Sequence, residues 1–338
     1  MQRRFQFGAL AAIGLCLPAG GLLMRVQAQD AQTEIVARAR VLPEIGAGLV
    51  EMKRDSAGRY YAIASPANAI LVFGPDGKRI GQVPVTSSPD LAKKSRIDFA
   101  VDFDIDSEGR ILVADRGANA VKIFASDGAL TIAIPVAAVT SVAALPGEEF
   151  AVTSLRSQRL MTIYSYAGKL IRAIGEPGDF MQGFDAARTP DLGRVWSDPD
   201  GNIYFVFSFL SEPTMRRFDR FGYAGNEIAL DEFAPEGRRR QLLSLERRTN
   251  ISAAKPQIDA FGVDPATQEI WIAVGEQLSR FDNQGARIGS YHTLSPAGAP
   301  LTPKTILVES KRLLLGTESW GVFDFARPAK ASVAANAR

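Results

Sequence analysis

FDIDSEGRILVADRGANAVKIFASDGALTIAIP, residues 103–135, holds four short apolar runs, FDI, ILVAD, AVKIF and LTIAI, parted by turn residues. The joints are Ser107-Glu108-Gly109, Arg116-Gly117-Ala118-Asn119 and Ser126-Asp127-Gly128. Glycine and asparagine tolerate the positive φ of tight hairpins, so each joint reads as a β-turn. Four antiparallel strands of this size make one small twisted sheet that cannot bury both its faces. The stretch recurs imperfectly along the chain, and such recurrence marks a ring of similar sheets.

Working outward, a first repeat covers residues 50–85, a third 141–174, a fourth 194–230 and a fifth 260–294. A sixth has only three strands, TILVE, RLLLGT and GVFDFA. An aromatic residue stands four before a turn glycine in five repeats: Phe73 and Gly77, Phe124 and Gly128, Tyr164 and Gly168, Phe218 and Gly222, Phe281 and Gly285. The aromatic is expected between neighbouring sheets and the glycine at the turn into the outer strand. Independent hairpins in a sandwich do not predict that recurrence. Residues 34–42, EIVARARVL, alternate as a half-buried strand should and can supply the strand that the sixth repeat lacks. The reading is all-β: a six-bladed β-propeller, its ring closed by this N-terminal strand in the last blade, which removes two open edges.

The second repeat carries the pattern D-x-x-G-x-[IL]-[YL]-V-[AT]-D…N-x-[VI]-x-x-F, here Asp106, Gly109, Ile111, Leu112, Val113, Ala114, Asp115, Asn119, Val121 and Phe124. In this it resembles the NHL-repeat family of β-propellers. The resemblance implies the propeller fold and leaves open binding, scaffolding or enzyme chemistry.

Residues 1–28 stand apart. Arg3 and Arg4 lead an apolar run, and Val26-Gln27-Ala28 offers small residues for signal peptidase, so the mature chain is expected to start at Gln29. Pro18, Gly20 and Gly21 weaken any spanning helix, and no stable membrane insertion is expected after cleavage. Three domains follow: a signal peptide at 1–28, the propeller at 29–327 and a loose Ala- and Lys-rich tail at 328–338. The tail's lack of apolar pattern is already visible from Arg327. Cleavage removes the sole cysteine, Cys16, leaving an exported, periplasmic or secreted chain that relies on its core and is expected to be a monomer. Of 39 basic and 37 acidic side chains, Arg3, Arg4 and Arg25 lie in the signal, so the mature chain is close to neutral. That balance argues against nucleic acid as partner.

Three connections between repeats are long: 86–98, 175–193 and 231–258. The last contains EGRRRQLLSLERRTN, residues 236–250, which reads as a short amphipathic helix with a basic face. By strand parity all three crowd one mouth of the channel, beside Arg116, Asn119, Arg156 and Arg159. Function on such scaffolds usually lives in loops.

Aligned first strands give a buried column of Met52, Phe103, Val142, Val195 and Phe261. One residue earlier stand Glu51, Asp102, Ser141, Arg194, Ala260 and Lys304; one residue beyond it stand Lys53, Asp104, Ala143, Trp196, Gly262 and Ile306. These polar positions face either the solvent of the channel or a ligand. Histidine-bound zinc, as in peptidylglycine amidating lyase, is excluded because His292 is the only histidine and falls on an outer strand. Streptogramin-lyase-like propellers likewise depend on a histidine, and none is suitably placed. Gluconolactonase-like and paraoxonase-like propellers hold an axial calcium, for which Glu51, Asp102 and Asp259 could supply oxygens. Lys53, Arg194 and Lys304 share that ring and neutralise it. No nucleophile elbow or phosphate loop is present. The expectation is therefore a binding module without cofactor or metal. It takes a protein or glycan partner of anionic character through Arg116, Asn119, Arg156, Asp102, Arg194, Glu51, Lys304 and Trp196. The alternative is a lactonase-like hydrolase with the axial calcium.

Overall fold

Two short strands open the described chain, β1 (Thr33–Val36) and β2 (Ala39–Val41), and twenty-three more follow as hairpins. The computed structural model describes residues 33–85, 89–175, 192–208, 210, 213–230 and 256–329. The expected signal peptide, the 236–250 stretch and residues 330–338 lie outside them.

Blade 1 is β3 (Leu49–Arg54), β4 (Tyr60–Ala64), β5 (Ile70–Phe73) and β6 (Arg79–Val83). A seven-residue helix, α1 (Pro89–Ser95), then fills part of the first long connection. Its proline at the first position, Asp90 in the first turn and Lys93 and Lys94 in the last suit a helix's ends. Blade 2 is β7 (Ala100–Ile105), β8 (Ile111–Asp115), β9 (Ala120–Phe124) and β10 (Leu130–Pro135). Blade 3 is β11 (Val139–Leu145), β12 (Glu149–Ser154), β13 (Met161–Ser165) and β14 (Leu170–Ile174). Blade 4 is β15 (Gly193–Ser197), β16 (Ile203–Phe207), β17 (Thr214–Phe218) and β18 (Ala224–Ala229). Blade 5 is β19 (Ala260–Val263), β20 (Ile270–Val274), β21 (Gln277–Phe281) and β22 (Arg287–Leu294). Blade 6 has three strands from this end, β23 (Thr305–Val308), β24 (Arg312–Thr317) and β25 (Gly321–Ala326). The six blades form a β-propeller, with inner strands neighbouring one another around the axis.

Closure differs from the single strand expected over 34–42. Only β2 completes blade 6, antiparallel to β25, with Ala39 opposite Asp324 and Val41 opposite Val322. β1 instead lies parallel on β22 as a fifth strand of blade 5. The chain changes partner at one step: the Ala37 amide donates to the Leu294 carbonyl at 2.9 Å and the Arg38 amide to the Asp324 carbonyl at 2.7 Å. One segment thus joins the last two blades.

The aromatic–glycine pairs behave as the sequence implies. Phe73, Phe124, Phe218 and Phe281 are buried, and Tyr164 stacks on Phe150 with ring centroids 5.7 Å apart. Each glycine follows a turn closed by a hydrogen bond three residues back, such as the Gly222 amide to the Asp219 carbonyl at 2.9 Å. The following ladder then shifts by a bulge, as between Arg216 and Phe218. These glycines have a second duty. A Cβ on Gly222 would lie 2.8 Å from Ile174 Cγ1, on the outer strand of the preceding blade; one on Gly128 would lie 2.7 Å from Val85, just past β6, and one on Gly285 3.3 Å from Ile228. Gly222 has φ +98, so its substitution combines backbone strain with collision, whereas a Cβ on Gly147, at φ +81, would meet nothing within 4 Å. Gly222→Ala should therefore cost about 1–2 kcal/mol more in urea unfolding than Gly147→Ala, where only the left-handed backbone of about 1–2 kcal/mol is at stake. Equal losses would show that the blade-to-blade contact contributes nothing.

The acidic turns on the face away from the mouth are side-chain caps. Asp106 accepts the Arg110 amide at 2.8 Å and its guanidinium at 2.6 Å, and the Tyr166 hydroxyl of the next blade at 3.1 Å. In blade 5 the buried Glu269 binds Arg280 and Arg327, each at 2.7 Å, and Arg327 also reaches Asp264 at 2.5 Å. Arg327, the last residue assigned to the propeller, is thus held by blade 5. Its two carboxylates lift its guanidinium pKa although burial alone would lower it.

Candidate functional site

The inner strands of blades 1, 2 and 3 share a feature absent from the ladders of blades 4, 5 and 6. Their register shifts by one residue just before Glu51, Asp102 and Ser141. A bulge bends its strand and re-aims the next side chain. Glu51 and Asp102 converge on Arg194, which comes from blade 4, and Ser141 joins them through Asp102. One Arg194 nitrogen, Nη2, donates to Glu51 Oε2 and, at 3.1 Å, to Asp102 Oδ1. Asp102 Oδ2 accepts from the Ser141 hydroxyl and from the Val142 amide at 3.2 Å, and Ser141 Oγ accepts the Val195 amide at 3.1 Å. The network ties four blades together across the axis.

Trp196, buried, lies beneath it. The Arg194 guanidinium stands 4.8 Å from its ring centroid and the Lys53 ammonium 5.8 Å. Lys53 pairs with Asp104 at 3.6 Å, and Asp104 in turn accepts the Ala144 amide at 2.9 Å. Burial pushes the Glu51 and Asp104 carboxyls above their ordinary range, against the pull of the neighbouring cations. Burial would lower Lys53, but Asp104, Glu51 and Asp102 outweigh it and hold its ammonium charged. Lys304 is elsewhere: it pairs with Asp259 at 3.3 Å, and Asp259 also accepts the Gly275 amide at 2.7 Å. Glu51, Asp102 and Asp259 thus make no common cage. Among the described residues no three histidine, cysteine or acidic side chains gather as a metal-holding group.

At the mouth, the loops between second and third strands bond by main chain to the starts of the inner strands. The Arg116 amide donates to the Phe99 carbonyl at 2.9 Å, and Leu155 to Ala138 at 3.1 Å. Asn119 joins these two: its carbonyl accepts Val136 at 2.9 Å and its side chain accepts Ala138 at 2.8 Å. Its φ of +52 suits this staple. Asn119 therefore links blades 2 and 3, while Arg116 and Arg156 are exposed.

Sequence reasoning missed Asp115. Fully buried, it accepts the Asp98 amide at 3.0 Å, Phe99 at 2.9 Å, Ala118 at 3.2 Å and the Lys122 ammonium at 2.7 Å. Burial would raise its carboxyl, yet Lys122 and the two amides of 98 and 99 hold it below the ordinary range. The signal is the D closing ILVAD, which by pattern alone marks only the end of a strand.

Several solved propellers share this arrangement of blades. A streptogramin B lyase structure superposes with a TM-score of 0.51 at 14% identity, covering 84% of this chain and 85% of the other. Virginiamycin B lyase from Staphylococcus aureus gives 0.52 at 13% identity, over 86% of this chain and 98% of the other. A catalytically inactive variant of that enzyme with quinupristin gives 0.52 at 12%, over 84% and 82%. The likeness is one of fold. No protein-family model matches the chain, and no curated protein matches it.

Proposed function

We propose that this chain is an exported NHL-type propeller that acts without catalysis, binding an anionic ligand at its loop-rich mouth. The observation that carries the reading is a group of exposed cations at the mouth without acidic partners. On the far face several arginines are matched, Arg59 to Asp55 at 2.7 Å, Arg110 to Asp106 at 2.6 Å and Glu148 at 2.7 Å, Arg312 to Glu309 at 2.8 Å, while Arg217 bonds Asn283 and Gln268 instead of a carboxylate. At the mouth Arg96 pairs with Asp98 at 2.5 Å and Lys122 with Asp115 at 2.7 Å, but Arg116, Arg156, Lys93 and Lys94 are exposed and have no carboxylate partner among the described residues. Cations kept in water and away from acids attract oxyanions, and arginine's planar fork suits them. Among the described residues the axial acids are already engaged by Arg194, Lys53 and Lys304.

The lyase chemistry of the structural neighbours is a weaker reading. A histidine-to-alanine change marks the inactive virginiamycin B lyase. Here the single histidine, His292, lies on β22 between Gln277 and Glu34, 3.5 Å from Glu276. Streptogramin incubated with the purified protein should come back unchanged.

The charge reversal Arg116→Glu with Arg156→Glu tests the binding reading. Against immobilised polyglutamate and a sulfated polysaccharide, wild type should bind in low salt and weaken as salt rises. The double variant should bind at least about tenfold less. Equal retention of both proteins at every salt concentration would overturn it.

A further inference from the structure

We infer that the strip of the mouth over blades 2 and 3 docks an acidic peptide segment carrying apolar side chains, a proposal that rests on the binding reading above. Large exposed apolar residues are few, and most stand on outer strands and turns. Phe99, 50% exposed, and Leu155, 37% exposed, are different, because each sits in the mouth beside one of the unmatched arginines. Phe99 accepts the Arg116 amide, and Leu155 precedes Arg156. Two neighbouring blades thus present the same pair, one apolar side chain and one guanidinium.

Neither apolar residue is exposed through looseness. The Phe99 amide is gripped by the buried Asp115 carboxylate at 2.9 Å, and Lys122 ties Asp115 to the Arg96 carbonyl. Gly117 closes over this turn so tightly that a Cβ there would stand 2.9 Å from the Phe99 nitrogen. From Arg116 the strip runs on through Asn119 and Ala138 to Leu155, each step a hydrogen bond or a few residues of turn. On the blade 3 side the Ser154 hydroxyl donates to the Ala137 carbonyl at 2.5 Å and accepts the Arg156 amide at 3.0 Å. A surface already ordered loses little freedom on binding, so its contacts go into affinity.

The pairing selects the ligand class. Two guanidinium groups answer to carboxylates, as in arginine clusters that read acidic motifs. A sugar ring can lie on Phe99 but offers nothing to Leu155, whereas a peptide side chain can cover both. The natural occupant is therefore a run of Asp or Glu interrupted by Phe, Leu or similar residues, from another protein.

The test uses the mature protein and a pool of fluorescein-labelled peptides of glutamates interrupted by one phenylalanine and one leucine at varied spacing. Polyglutamate of equal length and a sulfated oligosaccharide serve as comparisons. Wild type should prefer the mixed peptides, and Phe99→Ser with Leu155→Ser should weaken that binding at least about tenfold while leaving polyglutamate binding and the thermal melt unchanged. Arg116→Glu with Arg156→Glu should abolish both. If polyglutamate or the oligosaccharide binds as well as every mixed peptide, and the apolar changes are silent, the peptide inference fails while the anion-binding reading stands. If no anionic probe binds wild type, both fail together.

Discussion

Arg194→Met should destabilise the propeller by about 3–5 kcal/mol at neutral pH, because it strands carboxylates that were buried as partners of a cation. The two acids will not suffer equally. Asp102 keeps Ser141, Val142 and Phe103 as donors, whereas Glu51 keeps only the Met52 amide at 3.0 Å. Burial already lifts the Glu51 carboxyl above its ordinary value of 4.5, and Arg194 is the largest force opposing that rise. A group with a raised folded pKa favours folding below its unfolded pKa and loses that contribution as pH climbs through the folded value. Without Arg194 the rise grows. The variant's deficit should therefore be large at pH 8 and shrink towards pH 5, as Glu51 takes up a proton. Adding Glu51→Gln should restore a substantial part of the loss at pH 8 and little at pH 5. Urea melts of wild type, each single variant and the double variant at the two pH values decide it. A deficit that ignores pH and is not relieved by Glu51→Gln would show that Arg194 acts by packing on Trp196 instead.

Closure should yield the second large effect, and it should be uneven. A chain starting at Glu44 loses β2 and the buried Leu42, which packs where Gly77 leaves room in the turn of blade 1. It also uncovers the edge of β25. Its melting point should fall by the equivalent of about 3 kcal/mol or more, and it should aggregate on heating. A chain starting at Ala37 loses only β1, whose residues are largely exposed, at a cost on the order of 1 kcal/mol. Identical melts for both truncations, measured by light scattering and circular dichroism together, would refute the division of labour between the two strands.

The blade count is legible because it is written in side chains: an aromatic that must be buried and, four residues on, a glycine that must turn. The split of residues 34–42 is not. Alternation reports that one face is buried and says nothing of which sheet buries it, and the change of partner between Ala37 and Arg38 has neither proline nor glycine to mark it. Helix α1 carries the signal of a proline start, but in a connection that otherwise reads as loop. The axial network is half visible. The aligned columns hold Glu51, Asp102, Arg194 and Trp196, yet only the bulges bring Glu51 and Asp102 onto one guanidinium with Ser141 behind Asp102, and a bulge leaves no trace in composition. Arg327 closes the propeller as read from the sequence, but its C-terminal neighbours give no sign of what holds it. Its partners, Asp264 and Glu269, are distant in sequence.

Over blades 2 and 3 the rim of the mouth is held by main-chain bonds, from Phe99 through Arg116 and Asn119 to Ala138 and Leu155, with Asp115, Ser154 and the Asn119 amide as the side chains that fix it. Folding therefore makes almost no demand on what positions 99, 116, 155 and 156 carry. Those four positions are free to drift while the ring stays intact, so related chains with the same skeleton can acquire new partners by changing a handful of surface residues. The same property makes them the place to randomise when a binder for a chosen target is wanted from this scaffold.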